Sequence, residues 1–409
     1  MRVLFTMFPA YGHFHPLVPL ARALQQAGHE VAFATAAYFR QAVEGNGFRH
    51  FAAGSDQATL LGDEDMKSRT ERMMRSTPEA QQRNVADMFV GLFATRMVPD
   101  LIRVASEWRP DLLVREMMEF GACVVGEHLG IPCATIQVGA GRPQGFRNEG
   151  MTRSLDALRA TLRLPPDPQQ EMLYRYLHLC FAPGSYLGGA PLTPATHYLK
   201  PAIFDQSGDE RLPAWAEKLG RSGRPVVYAT LGTVFNKVHK PLHTILAALR
   251  DEPVELVMTV GRDQDPAVFG PQPPHIHVER YIPQTLLFPK CDLAILHGGY
   301  NSVTSALSHG LPLVVVPIAA DQPINAQICQ ELGVARAVNP LTMSPEQLRD
   351  AVREVLAKPS YREGARRFQL ESEQLPGLEH AVALLEKLAG RPSISDAPSG
   401  APQRRWAVP

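Results

Sequence analysis

The chain has 409 residues, enough for two hydrophobic cores, and its 41 Lys and Arg are balanced by 41 Asp and Glu. That balance excludes a basic footprint for nucleic acid or for an acidic membrane surface. The five cysteines (123, 133, 180, 291 and 329) are odd in number, far apart and set in apolar segments. They read as free thiols in a reducing cytoplasm, with neither a disulfide framework nor a CxxC metal site.

The opening "MRVLFTMFPA" has the apolar stretch of a short signal peptide, but His13, His15 and Pro16 interrupt it and no small-residue cleavage site follows. It therefore predicts a buried first strand, "RVLFTMF". After the loop "PAYGHFH", Leu17, Leu20, Ala21 and Leu24 fall on one helical face, and Gly28 stops the helix. "HEVAFAT", "PDLLVRE" and "IPCATIQV" read as further strands, with a helix over "FGACVVGEHLG". Strands and helices alternating at this spacing predict a parallel sheet with crossover helices. Residues 54–96 break the rhythm with weakly periodic, Met- and Arg-rich sequence, and residues 141–200 are irregular and proline-rich.

The rhythm restarts near Arg224. "RPVVYATLGT", "VELVMTVG", "HIHVERYI", "DLAILH", "LPLVVVP" and "VARAV" predict six strands, and the stretch 200–223 is the best linker. A long helical region follows to Leu388, then a Pro-, Ser- and Gly-rich tail expected to be disordered. The expected organisation is α/β throughout: 1–205 as one Rossmann-like domain, 206–365 as a second, 366–390 as a terminal helix and 391–409 as the tail. The longest apolar runs are strand-length and too short to span a bilayer.

In an open parallel sheet, ligands sit at the carboxyl ends of the strands. "DLAILHGGYNS" ends a strand in His297, Gly298 and Gly299 and starts a helix near Asn301. A helix beginning there aims its free N–H groups and positive dipole end at that spot, where phosphate binds. The glycines permit close backbone approach, and His297 and Ser302 add donors. A plain strand-to-helix turn explains "HGG" alone. Neighbouring strand ends carry further polar groups, however: Ile282 and Gln284 in "RYIPQTLL", Asp321, Gln322 and Asn325 in "PIAADQPINAQ", and Thr233 after "YATLGT". Together they predict a pocket.

"RYIPQTLLFPKCDLAILHGGYNSVTSALSHGLPLVVVPIAADQPINA" resembles the donor-binding signature of nucleotide-sugar glycosyltransferases with two Rossmann-like domains (GT-B). That family includes plant UDP-glycosyltransferases and bacterial antibiotic glycosyltransferases. "YGHFHPLVPLARALQQAGHEVAFAT" is similar to the family's N-terminal opening, so the resemblance spans nearly the whole chain. It implies a donor on the second domain, an acceptor on the first, chemistry in the cleft and a last helix that crosses back to the first domain.

His13 falls where the family has its catalytic histidine, and an imidazole titrating near neutrality can take a proton from an acceptor hydroxyl. The resemblance also implies an acidic partner for this histidine. Glu116 stands where the family commonly has Asp, with Glu119 as the weaker candidate and His15 as the competing histidine. A metal role for His13 and His15 lacks a third ligand nearby in sequence. Asp63-Glu64-Asp65 and Asp263-Gln264-Asp265 read as surface loops, and His275 and His277 as structural, so no metal and no cofactor are expected.

The resemblance implies an inverting glycosyltransferase acting on a small-molecule natural-product aglycone. Met66, Met73, Met74, Met88, Phe89, Phe93 and Met97 suggest an adaptable apolar acceptor wall, with ordinary helix packing as the alternative. Ser305 replaces the Glu that grips both ribose hydroxyls in UDP-sugar users, which favours a thymidine diphosphate (dTDP) sugar over a UDP sugar. A nucleotide-sugar epimerase or hydrolase on the same fold, or a degenerate auxiliary protein, are the competing readings. No nucleic acid or membrane partner is expected, and a homodimer is compatible with the sequence.

Overall fold

The structure, a computed structural model, describes residues 1–56, 68, 72, 75, 77–141, 147–189, 191–205, 210–232 and 239–390. Asp63 to Asp65, Met66, Met73, Met74, Thr233 and the 391–409 tail lie outside the described residues.

Two all-parallel sheets organise the chain. The first contains β1 (Arg2–Thr6), β2 (Glu30–Thr35), β3 (Arg49–Ala52), β4 (Leu112–Glu116), β5 (Cys133–Gln137), β6 (Leu177–Cys180) and β7 (Thr196–Tyr198). Their order is β3-β2-β1-β4-β5-β6-β7. The second contains β8 (Val226–Thr230), β9 (Glu255–Thr259), β10 (Ile276–Glu279), β11 (Leu293–Leu296), β12 (Leu313–Val315) and β13 (Ala335–Ala337), in the order β10-β9-β8-β11-β12-β13. The six strands read in the second half of the sequence are the six strands of this sheet. In each sheet the strand order reverses once, between β1 and β4 and between β8 and β11, and a crevice opens beyond the strand ends at such a switch point.

Helices cover both faces of each sheet, so the strands are buried on both sides and read as continuous apolar runs. Alternate side chains of β1 serve opposite layers. Leu4 joins the core under the helices Thr95–Trp108 and Gly121–Leu129. Val3 and Phe5 join the core under Val18–Gln26.

The terminal helical region corrects the expected single crossing helix. Pro359–Gln374 stays on the second sheet, where Ala365 and Phe368 enter its core. The chain breaks at Pro376-Gly377, where proline ends one helix and Gly377 precedes the next. Only Leu378–Ala389 returns to the first core, burying Ala381, Val382, Leu385 and Leu388 against the layer of Val3 and Phe5. His29 Nε2 meets Glu386 Oε1 at 2.9 Å on its outer side. In the opposite sense, Cys180, Ala182, Tyr186 and Leu187 from the first half pack into the second-sheet core. Each half therefore completes the other's packing.

Candidate active site

The β1/β4 crevice collects the first group of polar residues. Thr6 of β1 pairs in register with Arg115 of β4, so the loops after both strands leave side by side. The loop after β1 turns into the short helix Tyr11–Phe14, which carries His13. His13 Nδ1 lies 3.1 Å from Glu116 Oε1, with 22% of the histidine side chain exposed and Glu116 wholly buried. The two groups form an ion pair whenever the imidazole carries its second proton. Nε2, on the opposite edge of the ring, is left for a ligand.

Backbone donors hold Glu116 in place: Phe8 N–H to Oε1 at 3.2 Å and Met118 N–H to Oε2 at 2.7 Å. Burial disfavours charge on both partners, but mutual attraction outweighs it. His13 is raised above its usual 6.5 by Glu116 and, further off, by Asp321. Glu116 is lowered by His13 and by those two backbone donors. A proton arriving on His13 is thus stabilised by a fixed carboxylate behind it.

The two competing residues have other surroundings. Glu119 accepts from Thr6 Oγ1 at 2.6 Å, Gly121 N–H at 2.6 Å and Ala122 N–H at 3.1 Å, satisfying the first N–H groups of the Gly121–Leu129 helix. His15 packs against Tyr11, Phe14 and Phe204, with ring centroids 5.3, 6.1 and 5.4 Å away. Burial and the nearby Arg262 charge push its pKa down to about 4.

Aromatic rings wall the base. Phe8 lies 5.4 Å from the His13 ring and 4.9 Å from Phe89, while Phe89 lies 6.4 Å from His13. Phe93, expected in the acceptor wall, is completely buried behind Phe8 at 5.2 Å and supports the wall instead of forming it. Met88 is partly buried beside the same cluster. Phe89 and Phe93 belong to a π-helical segment, Ala86–Ala94, whose wider turn explains the weak 3.6-residue periodicity of this stretch. Phe8 reads in the sequence only as the last residue of the first strand, which ends at Thr6 in the structure.

The β8/β11 crevice collects the second group. Gly298 has φ +88°, and a Cβ there would lie 2.9 Å from the Val315 side chain. Gly299 precedes the Tyr300–Ser308 helix, whose first N–H groups receive no side-chain cap. A Cβ at Gly299 would fall 2.5 Å from His297 Nε2, and one at Gly232 would fall 2.6 Å from His297 Cε1. The two glycines make a slot for the imidazole. Burial holds His297 near 4, so its ring is neutral, with one nitrogen a donor and the other an acceptor. His297 Nδ1, Tyr300 Oη and Ser305 Oγ are buried without a hydrogen-bond partner. The uncapped helix start beside the His297 ring fits an anionic ligand.

The other residues expected in the donor pocket divide. Ile282 is core-buried, yet it also borders a cavity of about 360 Å³ lined by Arg262, Arg280, Tyr281 and Pro283. Gln284 Nε2 makes a long 3.4 Å contact with Tyr228 Oη. Gln322 Oε1 accepts from Ile318 and Ala319 N–H at 2.7 and 3.0 Å, so its amide oxygen stitches its own loop. Asp321 follows Ala320, a non-glycine residue at φ +58°, and faces the first half of the chain. Its Oδ2 accepts from Asn325 Nδ2 at 2.9 Å and from Ala140 N–H at 3.4 Å. Asn301 Nδ2 donates to the Gly12 carbonyl at 3.1 Å, beside His13. Ser302 is half-buried on the same turn. Asp265 accepts from Ala267 N–H at 3.1 Å and caps a turn, while His277 stacks on Trp215 at 3.8 Å.

The two crevices thus face one another, with His13 on one wall and the helix start and Asp321 on the other. Among the described residues no helix is long and apolar enough to cross a membrane.

Residues 22–185 match the N-terminal domain, and residues 243–388 the C-terminal domain, of the family described as erythromycin biosynthesis protein CIII-like. The chain is 29% identical to 4'-demethylrebeccamycin synthase of Lentzea aerocolonigenes, covering 95% of this chain and 99% of that protein. It also superposes on the glycosyltransferase SnogD from Streptomyces nogalater with a TM-score of 0.73 at 25% identity, covering 95% and 99% of the two chains. Glycosyltransferase VinC, solved in complex with dTDP, gives a TM-score of 0.76 at 24% identity over the same shares.

Proposed function

The chain belongs to the erythromycin biosynthesis protein CIII-like family and is a natural-product glycosyltransferase of GT-B fold, and from that premise we propose a one-step, inverting sugar transfer with His13 as general base. The observation that carries the proposal is the buried Glu116 carboxylate 3.1 Å behind His13, on the cleft wall opposite an uncapped helix start. Residues 1–205 hold the acceptor, with its hydroxyl at His13 Nε2 and its apolar body against Phe8, Phe89 and Met88. Residues 206–365 hold the nucleoside diphosphate sugar.

As His13 takes the hydroxyl proton, the oxygen attacks the anomeric carbon from the face opposite the diphosphate. The new C–O bond forms as the C–O bond to the diphosphate breaks. The departing charge falls on the first N–H groups of Tyr300–Ser308, with His297 and Ser302 as added donors. Asp321 bonds to a sugar hydroxyl. Incubation with dTDP and UDP sugars and a panel of hydroxylated polyketide aglycones, read by mass spectrometry, tests the reading. Acceptor-dependent glycoside formation is expected, whereas donor hydrolysis or epimerisation without acceptor would replace it with another reaction.

Two expected results concern the donor. His297→Ala and Ser302→Ala each weaken dTDP binding by roughly 1.5–3 kcal/mol, the size of a hydrogen bond to a charged group. Thymidine binding changes little, because both residues serve the phosphates. Equal losses for the two ligands in titration calorimetry would remove them from the diphosphate site.

Ser305 concerns the nucleotide. Its hydroxyl is buried and unpartnered, too short and too deep to grip two ribose hydroxyls. We therefore favour dTDP sugars, consistent with the dTDP bound to VinC. Competition binding is expected to show dTDP at least as tight as UDP, and Ser305→Glu to shift preference toward UDP. Tighter UDP binding by the wild type, or no shift in the variant, contradicts this assignment.

A further inference from the structure

We infer that Tyr186, from the first half of the chain, is a positioning residue for the donor sugar that acts through Asn325 on Asp321. This rests on the reading of Asp321 as a sugar contact. Asn325 is completely buried, and both ends of its amide are engaged. Tyr186 Oη donates to Asn325 Oδ1 at 2.6 Å, and Asn325 Nδ2 donates to Asp321 Oδ2 at 2.9 Å. An amide can turn over and exchange its oxygen and nitrogen, and its orientation follows from its partners. An ionised carboxylate only accepts, so Asp321 turns the NH2 group toward itself, and the tyrosine hydroxyl, kept protonated by burial, donates to the amide oxygen on the other side and holds the amide in place. Without that hydroxyl, Asn325 Oδ1 loses its donor and the buried amide loses the contact that fixes its position against Asp321.

The tyrosine is itself well fixed. It lies on the turn Gly184–Leu187, just after β6, with its ring edge-on to Tyr300 at 5.8 Å and Phe368 at 5.9 Å. A second arm reaches the same oxygen from the same half. Ala140 N–H points at Asp321 Oδ2 from 3.4 Å, in a loop pinned by Gln137 Nε2 to the Gly139 and Gly141 carbonyls at 2.6 and 2.7 Å. Gln137 Oε1 is held in turn by His178 Nε2 at 2.9 Å, whose Nδ1 lies 3.0 Å from Thr196 Oγ1. Both arms end on Oδ2, which leaves Oδ1 as the oxygen for a sugar hydroxyl. Asp321 belongs to the second half by sequence, but its aim is set by the first. Donor-sugar recognition therefore depends on how the two halves are packed.

The test is a double-mutant cycle on the full chain with dTDP and dTDP-glucose as probes. Tyr186→Phe keeps the ring and its packing and removes only the hydroxyl. It is expected to lower affinity for dTDP-glucose about three- to ten-fold, the span of one lost hydrogen bond, with dTDP affinity unchanged. In an Asp321→Ala background the same substitution is expected to have no further effect. Equal losses for both probes, or an undiminished effect without Asp321, would overturn the inference. If Asp321→Ala itself leaves the preference for dTDP-glucose over dTDP intact, the sugar contact fails and this inference with it. If Asp321→Ala is selective and Tyr186→Phe is silent, only the positioning role fails. Gln137→Glu, which sets a carboxylate against the Gly139 and Gly141 carbonyls, perturbs the second arm with the same readout should the tyrosine variant fold poorly.

Discussion

Replacement of His13 by alanine is expected to lower sugar transfer by about a hundred- to ten-thousand-fold, the usual contribution of a positioned general base. Binding of dTDP should stay close to wild type, because the imidazole sits on the opposite wall from the uncapped helix and His297. Initial rates with a hydroxyl acceptor, paired with calorimetry, separate the two effects. Full turnover by the variant would remove His13 from the chemistry. Loss in His15→Ala instead would move the base two residues along, against the lowered pKa of that ring and its packing among Tyr11, Phe14 and Phe204.

Neutralising the carboxylate behind the histidine is the second large effect. Glu116→Gln removes the charge that raises His13 and leaves one of the backbone donors, Phe8 or Met118 N–H, facing an amide NH2. The loss of transfer is expected to reach up to about 10⁴-fold, as when the carboxylate behind a protease histidine is neutralised. The pH profile carries the sharper signature. A protonated imidazole cannot accept the acceptor's proton, so wild-type activity falls as pH drops through the His13 pKa, which lies above the usual 6.5. Without Glu116, burial dominates and lowers that pKa, so the acidic limb of kcat/KM moves to lower pH even as the plateau falls. A limb that stays in place would mean that His13 does not titrate against Glu116 during turnover. Glu116→Asp, which restores the charge on a shorter arm, should return the limb toward its wild-type position.

The two sheets were legible because parallel strands buried on both faces leave uninterrupted apolar runs, such as "LVVV" and "LAIL". β6 and β7 were not. "LHLC" and "THY" are short and carry histidines, and His178 sits in a sheet interior only because Gln137 and Thr196 satisfy both ring nitrogens. The π-helical segment Ala86–Ala94 blurred the 3.6-residue periodicity of its stretch, so Met88, Phe89 and Phe93 were legible as an apolar wall only from composition, and not as to which of them faces the cleft. Choosing between Glu116 and Glu119 needed the turn after β4, which aims one carboxylate at His13 and folds the other back over a helix start. Pro376-Gly377, where the helices break, lies within what reads as one helical region to Leu388, and nothing in the sequence assigns each helix to its sheet. Tyr186 and Asn325 lie 139 positions apart, beyond the reach of motif or periodicity.

The anomeric configuration of the product tests the account most directly. With dTDP-α-glucose as donor and a hydroxylated aglycone as acceptor, one displacement driven by His13 and Glu116 must invert the reacting carbon. Proton NMR of the isolated glycoside is expected to show the large axial–axial coupling of a β-glucoside. The small coupling of an α-glucoside would contradict a single-step transfer with His13 as its base.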